Sequence, residues 1–166
     1  MRLFSLHRGM FAVLVFYAFL PTIAQGATYT LDVNLTSWHT ERWARRELNQ
    51  HNAGLGVTVD LTPNWSASVG FYRNSYRRTS VYLLADWTPL HLRFGSTGWQ
   101  LAAGGEAGLA TGYRRREMAC EPFVATALIR LIAPGGWSLN ISAVPNAPGR
   151  NAGFIGAQLS LPLPAL

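Results

Sequence analysis

From residue 29 onward, apolar and polar positions alternate with period 2, the pattern of strands with two unlike faces. Eight segments carry it: 29–38, 53–61, 65–72, 80–87, 99–110, 123–131, 137–144 and 153–161. The third and seventh are the clearest. Trp65, Ala67, Val69 and Phe71 share one face, as do Trp137, Leu139, Ile141 and Ala143. Ser66, Ser68, Ser138, Asn140 and Ser142 take the other. No helical period competes. Tight turns at 62–64 and 133–136 alternate with longer polar loops at 40–52, 73–79, 111–122 and 145–152. The stretch 88–98 breaks this order, because a short turn is expected there and the segment is long.

Trp65, Trp87, Trp99 and Trp137 each fall at the end of a predicted strand and share the parity of the apolar face. Consecutive antiparallel strands would set all four outward at one level, as in the aromatic girdle of a membrane barrel. The expected fold is therefore all-β: an eight-stranded antiparallel up-and-down barrel of the outer-membrane type, with its long loops outside. A soluble sandwich would instead bury these indoles in its core.

The first residues read as a secretory signal. Arg2 and Arg8 precede an apolar run at 10–20, and Ala24-Gln25-Gly26 offers small residues for cleavage. The expected division is 1–26 as signal peptide and 27–166 as a single barrel domain. The lone Cys120 rules out an intrachain disulfide framework and offers no metal-site spacing, and no cofactor motif is present. All 14 basic residues are arginine, against 8 acidic ones. Arg42, Arg45, Arg46, Arg73, Arg77, Arg78, Arg114, Arg115, Arg116 and Arg150 all fall in the long loops. Guanidinium forks bind phosphate bidentately. The outer leaflet of a Gram-negative outer membrane is densely phosphorylated lipopolysaccharide. The expected partners are membrane lipids and lipopolysaccharide, bound by a monomer. Nucleic acid is a poor partner for an exported chain.

The inward face divides by height. The half away from the long loops carries Asp32, Asn34, Asp60, Ser66, Ser68, Asp86, Gln100, Arg130, Asn140 and Gln158, which read as a polar plug with Arg130 near Asp60, Asp86 or Glu106. The loop-side half carries Gly54, Gly56, Tyr72, Tyr82, Leu84, Gly108, Ala110, Val124, Val144 and Phe154. Eight strands enclose little more than side chains or one small ligand. This half reads either as a pocket for one acyl chain, contacted by Tyr72, Tyr82, Leu84, Val124 and Phe154, or as space that the aromatic rings fill. Arg42, Arg73, Arg77 and Arg78 would hold the head group.

His39 ends the first strand, and Asn74 and Ser75 follow the third. Both strands run toward the long loops, so the three share one rim. A base and an oxyanion donor there are what acyl transfer requires. In Trp38-His39, Asn74-Ser75 and Trp87-Thr88-Pro89-Leu90 the chain resembles the lipid A palmitoyltransferases of the PagP type. These are eight-stranded outer-membrane barrels that move a palmitoyl chain from phospholipid to lipid A. The resemblance implies His39 as base, Ser75 as its partner and Asn74 as an orienting or oxyanion donor. It departs from that family at Asn74, where the family has aspartate, so Asn74→Asp would be expected to preserve or raise activity. Pro122, Pro145 and Pro148 would interrupt ladders, and such gaps admit lipid in that family. Three readings follow. One is an outer-membrane barrel that binds lipid and transfers an acyl chain to lipid A. Another is a noncatalytic barrel whose arginine loops bind lipopolysaccharide or a partner. The third is a soluble periplasmic lipid carrier.

Overall fold

The computed structural model describes residues 28–118, 120–147 and 152–164. The expected signal peptide at 1–26, Arg150 and Pro148 lie outside these. Eight strands follow in order: β1 (Thr28–His39), β2 (His51–Thr62), β3 (Trp65–Arg73), β4 (Thr79–Arg93), β5 (Gln100–Ala110), β6 (Phe123–Ile132), β7 (Ser138–Val144) and β8 (Phe154–Pro162). Each pairs antiparallel with its neighbour, and β8 pairs with β1, closing an eight-stranded barrel. Closure removes the sheet edges that an open sheet of this length would expose. One short helix, α1 (Arg42–Glu47), lies in the first loop, which the sequence pattern left irregular.

Alternation sorts the faces as expected. On β3 the serines Ser66 and Ser68 are buried inside, while Trp65 and Phe71 are exposed outside. Leu55, Val57, Val81, Leu83, Leu109, Ile129 and Ile155 add to an apolar outer band. No helix among the described residues is long and apolar enough to cross a membrane.

β4 departs from expectation. It does not end at Trp87 but runs six residues farther, to Arg93. A bulge between Trp87 and Leu90 accommodates Pro89, which has no N–H to give to a ladder. Beyond it Leu90 and Leu92 resume the outward parity. The long segment at 88–98 is thus mostly strand, closed by a turn in which the Phe94 N–H donates to the Trp99 carbonyl at 2.9 Å.

The four tryptophans form two pairs rather than one row. Trp65 and Trp87 are register partners, stacked with ring centroids 6.1 Å apart. Trp99 meets Trp137 edge-on at 5.4 Å. Trp87 opposes Gly105, so Trp99, just before β5, lies well away from that level. At the other end Trp38, Phe71 and Phe123 are exposed on the outer surface.

The polar plug is present. Arg130 Nη2 donates to Asp86 Oδ2 at 2.8 Å, and Asp60 lies 3.8 Å from Nη1. Ser66 donates to the same Asp86 oxygen at 3.1 Å. Thr58 and Ser160 donate to Asp32 at 2.6 and 2.5 Å. Asn140 donates to Gln158 and Ser160, both at 2.9 Å. Glu106 does not join Arg130. It accepts hydrogen bonds from Thr126 at 2.6 Å and Ser142 at 2.7 Å, tying β5, β6 and β7 together.

Candidate functional site

The geometry around His39 starts with a bulge. Unbroken alternation from Asp32 and Asn34 would turn Trp38 inward and His39 outward. The register of β1 shifts by one residue between Asn34 and Thr36 against both β2 and β8. Against β8 the extra residue lies on β1 and against β2 it lies on β2, and across this irregularity β1 exchanges its two faces. Trp38 emerges 61% exposed, and His39 turns in with 2% exposure. Bulges recur next to active sites, where they re-aim one side chain.

His39 is held by a residue that the sequence pattern did not single out. The His39 backbone N–H donates to Gln50 Oε1 at 3.1 Å, and His39 Nδ1 lies 3.1 Å from the same oxygen. Phe154, the register partner of His39 on β8, faces the ring with centroids 6.1 Å apart. Arg45 clamps the strand end from α1, donating to the carbonyls of His39 at 2.8 Å and Thr40 at 2.6 Å while stacking over the Trp38 ring.

Asn74 is fully buried and fully bonded. Its Nδ2 donates to Ser80 Oγ at 3.0 Å and to the Gly112 carbonyl at 2.9 Å. Its Oδ1 accepts from the backbone N–H of Tyr76 at 2.9 Å and Arg78 at 3.0 Å. Both amide hydrogens are thus occupied within the fold, leaving Asn74 neither an oxyanion donor nor the group that orients His39. Asn74→Asp would set a carboxylate against the Gly112 carbonyl, which reverses the expectation for that substitution. The role fits the residue type, since Asn readily organises a turn through its own following backbone. Gly112 completes the staple. Its φ is +84°, and a Cβ there would come within 2.6 Å of the Thr79 carbonyl.

Ser75 is half-buried on the same rim. Its carbonyl accepts from the Asn49 N–H at 2.8 Å. Asn49 precedes Gln50, so one short segment touches both Ser75 and His39. Among the described residues no hydrogen bond joins the Ser75 hydroxyl to the His39 ring.

Of the expected lining residues, Tyr82 is buried and Tyr72, Leu84, Val124 and Phe154 are half-buried. The tyrosines fill space that the glycines leave. A Cβ on Gly56 would stand 2.2 Å from the Tyr82 hydroxyl, and one on Gly70 2.6 Å from it. Tyr72 hydrogen-bonds Tyr113 of the third long loop, hydroxyl to hydroxyl at 2.9 Å. Burial and the neighbouring Tyr72 push the Tyr113 hydroxyl well above its ordinary range. A cavity of about 400 Å³ opens at the opposite end, lined by Asp60, Thr62, Thr88, His91 and Arg130 among others, far from His39.

Among the described residues the β6–β7 ladder is short on the loop side. β6 pairs with β5 up to Phe123, but its ladder with β7 stops at Ala127 and Ala143. From Phe123 to Thr126, β6 has no ladder partner on β7 among the described residues. Pro145 follows β7 directly and has no N–H to extend the ladder. Inward positions lead from this end of the ladder to the histidine. Val144 is the register partner of Phe154, and Phe154 that of His39.

Above the rim stand the arginines. Arg42 and Arg46 on α1, Arg73 at the end of β3, and Arg114, Arg115 and Arg116 in the third loop are exposed. Arg77, also exposed, reaches the Glu47 carbonyl at 3.3 Å. Arg78 is committed to the fold. It donates to the Gly112 carbonyl at 2.7 Å, pairs with Glu117 and lies over the Tyr76 ring. Burial opposes the charge on Glu117, yet the Arg78 hydrogen bond and the Arg114 N–H outweigh it and hold the carboxyl below its ordinary range. Among the described residues no cluster of histidine, cysteine and acidic side chains could hold a metal ion. Set against family models and against curated proteins, the chain matches none.

Proposed function

We propose that this chain is an outer-membrane barrel that takes a lipid acyl chain sideways between β6 and β7 and transfers it at His39. The observation that carries this reading is the row of inward-facing register partners Val144, Phe154 and His39, which runs along the wall from the end of the β6–β7 ladder. The exposed apolar band favours a bilayer over a soluble carrier. The exposed arginines of the long loops suit the phosphates of lipid A. In the transfer, His39 takes the proton of an acceptor hydroxyl as that oxygen attacks the ester carbonyl of a phospholipid. The new acyl–oxygen bond forms, the acyl–glycerol bond breaks, and the proton returns to the departing lysophospholipid oxygen. Mass spectrometry of lipid A from cells with the wild-type chain should show a species heavier by one acyl group. His39→Ala should lose it while still folding, and Ser75→Ala tests whether that hydroxyl takes part. An identical lipid A profile with and without the wild-type chain would refute the reading.

A second reading has its own support. The Asn74 amide is committed to the turn, and the Ser75 hydroxyl makes no bond to His39. A noncatalytic barrel whose arginines hold lipopolysaccharide needs neither. It predicts salt-sensitive binding of lipopolysaccharide, weakened by replacing Arg114, Arg115 and Arg116, with no acyl product.

A further inference from the structure

We propose that Gln50 is a positioning residue for His39: it fixes the neutral imidazole with its proton on Nδ1 and leaves Nε2 as the basic nitrogen. This deepens the acyl-transfer reading and rests on it.

The inference follows from which atoms can only donate. The His39 backbone N–H cannot accept, and it lies 3.1 Å from one atom of the Gln50 amide. That atom must be the oxygen. The other end of the amide agrees, since Nε2 of Gln50 lies 3.1 Å from the Leu48 carbonyl and 3.4 Å from that of Ala44. Carbonyls only accept, so a flipped amide would turn all these contacts repulsive. His39 Nδ1 faces the same oxygen at 3.1 Å, and an amide oxygen cannot donate. The ring proton therefore sits on Nδ1, and the lone pair sits on Nε2.

Gln50 is held firmly enough to impose this. Its carbonyl accepts from the Ser37 N–H at 2.9 Å and from the Thr36 hydroxyl at 2.7 Å, across the bulge that turns His39 inward. The same local geometry thus aims the ring and chooses its tautomer. Among the described residues His39 Nε2 has no hydrogen-bond partner, and it is not one of the sealed, unpartnered polar atoms. Neutral histidine free in water favours the opposite tautomer, with the proton on Nε2. A ring merely filling space beside Phe154 would have no need of that reversal. A general base that must present a lone pair from a strand end does.

The test uses the full chain folded in detergent micelles with ¹⁵N-labelled histidine. Long-range proton–nitrogen correlation spectra are recorded at about pH 8, above the ordinary histidine range. His39 should show the Nδ1–H pattern, whereas the exposed His51 and His91 serve as references. Gln50→Leu should move His39 toward the Nε2–H form, and Gln50→Glu, which keeps an acceptor, should retain Nδ1–H. Acyl transfer should fall at least tenfold in kcat for Gln50→Leu with little change in KM, and recover in part for Gln50→Glu. A wild-type His39 found as Nε2–H overturns the assignment, and this outcome needs no variant to fold. So does a Gln50→Leu spectrum that keeps the wild-type pattern in a folded barrel. If the tautomer is as stated but the wild type yields no acylated lipid A, Gln50 still sets the histidine. The acyl-transfer reading is then the part that fails.

Discussion

Arginine 130 offers the sharpest test of how the interior is held together. Arg130→Met keeps most of the aliphatic stem and removes the guanidinium. Asp86 then loses its 2.8 Å partner and keeps Ser66 at 3.1 Å as a neutral donor. Its side chain is almost sealed from solvent, and one of its oxygens already lacks a partner. Removing one member of a buried pair typically costs about 3–5 kcal/mol. Asp60 adds little, since it stands 3.8 Å from Arg130 and is partly exposed. The expected loss is therefore about 3 kcal/mol. Urea unfolding of the barrel in lipid vesicles, followed by tryptophan emission, measures it. Adding Asp86→Asn to Arg130→Met should restore most of the loss, because the stranded charge is gone while Ser66 keeps an acceptor. An Arg130→Met midpoint equal to that of the wild type would refute this account, as would a double variant less stable than the single one.

Three further outcomes are expected. Asn74→Asp should destabilise the barrel by about 1–3 kcal/mol by removing two donors that serve Ser80 and Gly112, with loss of any acyl-transfer activity rather than gain; equal stability would contradict the staple. The lowered Glu117 pKa means that its contribution is present above the ordinary value of 4.5 and is lost as pH falls through the lowered one. Arg78 is about a third exposed, so the contribution is worth no more than about 1 kcal/mol. Hydrogen exchange at 112–118, corrected for intrinsic rate, should then rise in the wild type as pH falls through the lowered Glu117 value, and already be raised near neutral pH in Glu117→Gln. Lipids brominated along the acyl chain should quench emission from Trp65 and Trp87, studied as single-tryptophan variants; emission that ignores the bromines would place the outer face in water.

The eight strands, their parity and the polar plug were legible in the sequence because each rests on period-2 alternation. A strand between two unlike environments must write that alternation into its own residues. The crowding of arginine into the loops was legible for the same reason, once the strands had been counted. The site was legible only as a list of residue types. Whether His39 points in or out depends on the bulge near Leu35, which exists only in the pairing of β1 with β2 and β8. β4 passes Pro89 because a bulge absorbs the missing donor, and the sequence showed only a proline where strands usually stop. Asn74 looked like half of a catalytic pair until Ser80 and Gly112 came within its reach. Gln50 carried no signal at all. A glutamine in a polar loop is unremarkable until the fold brings His39 to its amide oxygen, eleven residues away in the chain. Local alternation decides which residues face inward, whereas bulges, ladder ends and side-chain partners arise between strands, so only the tertiary structure decides them.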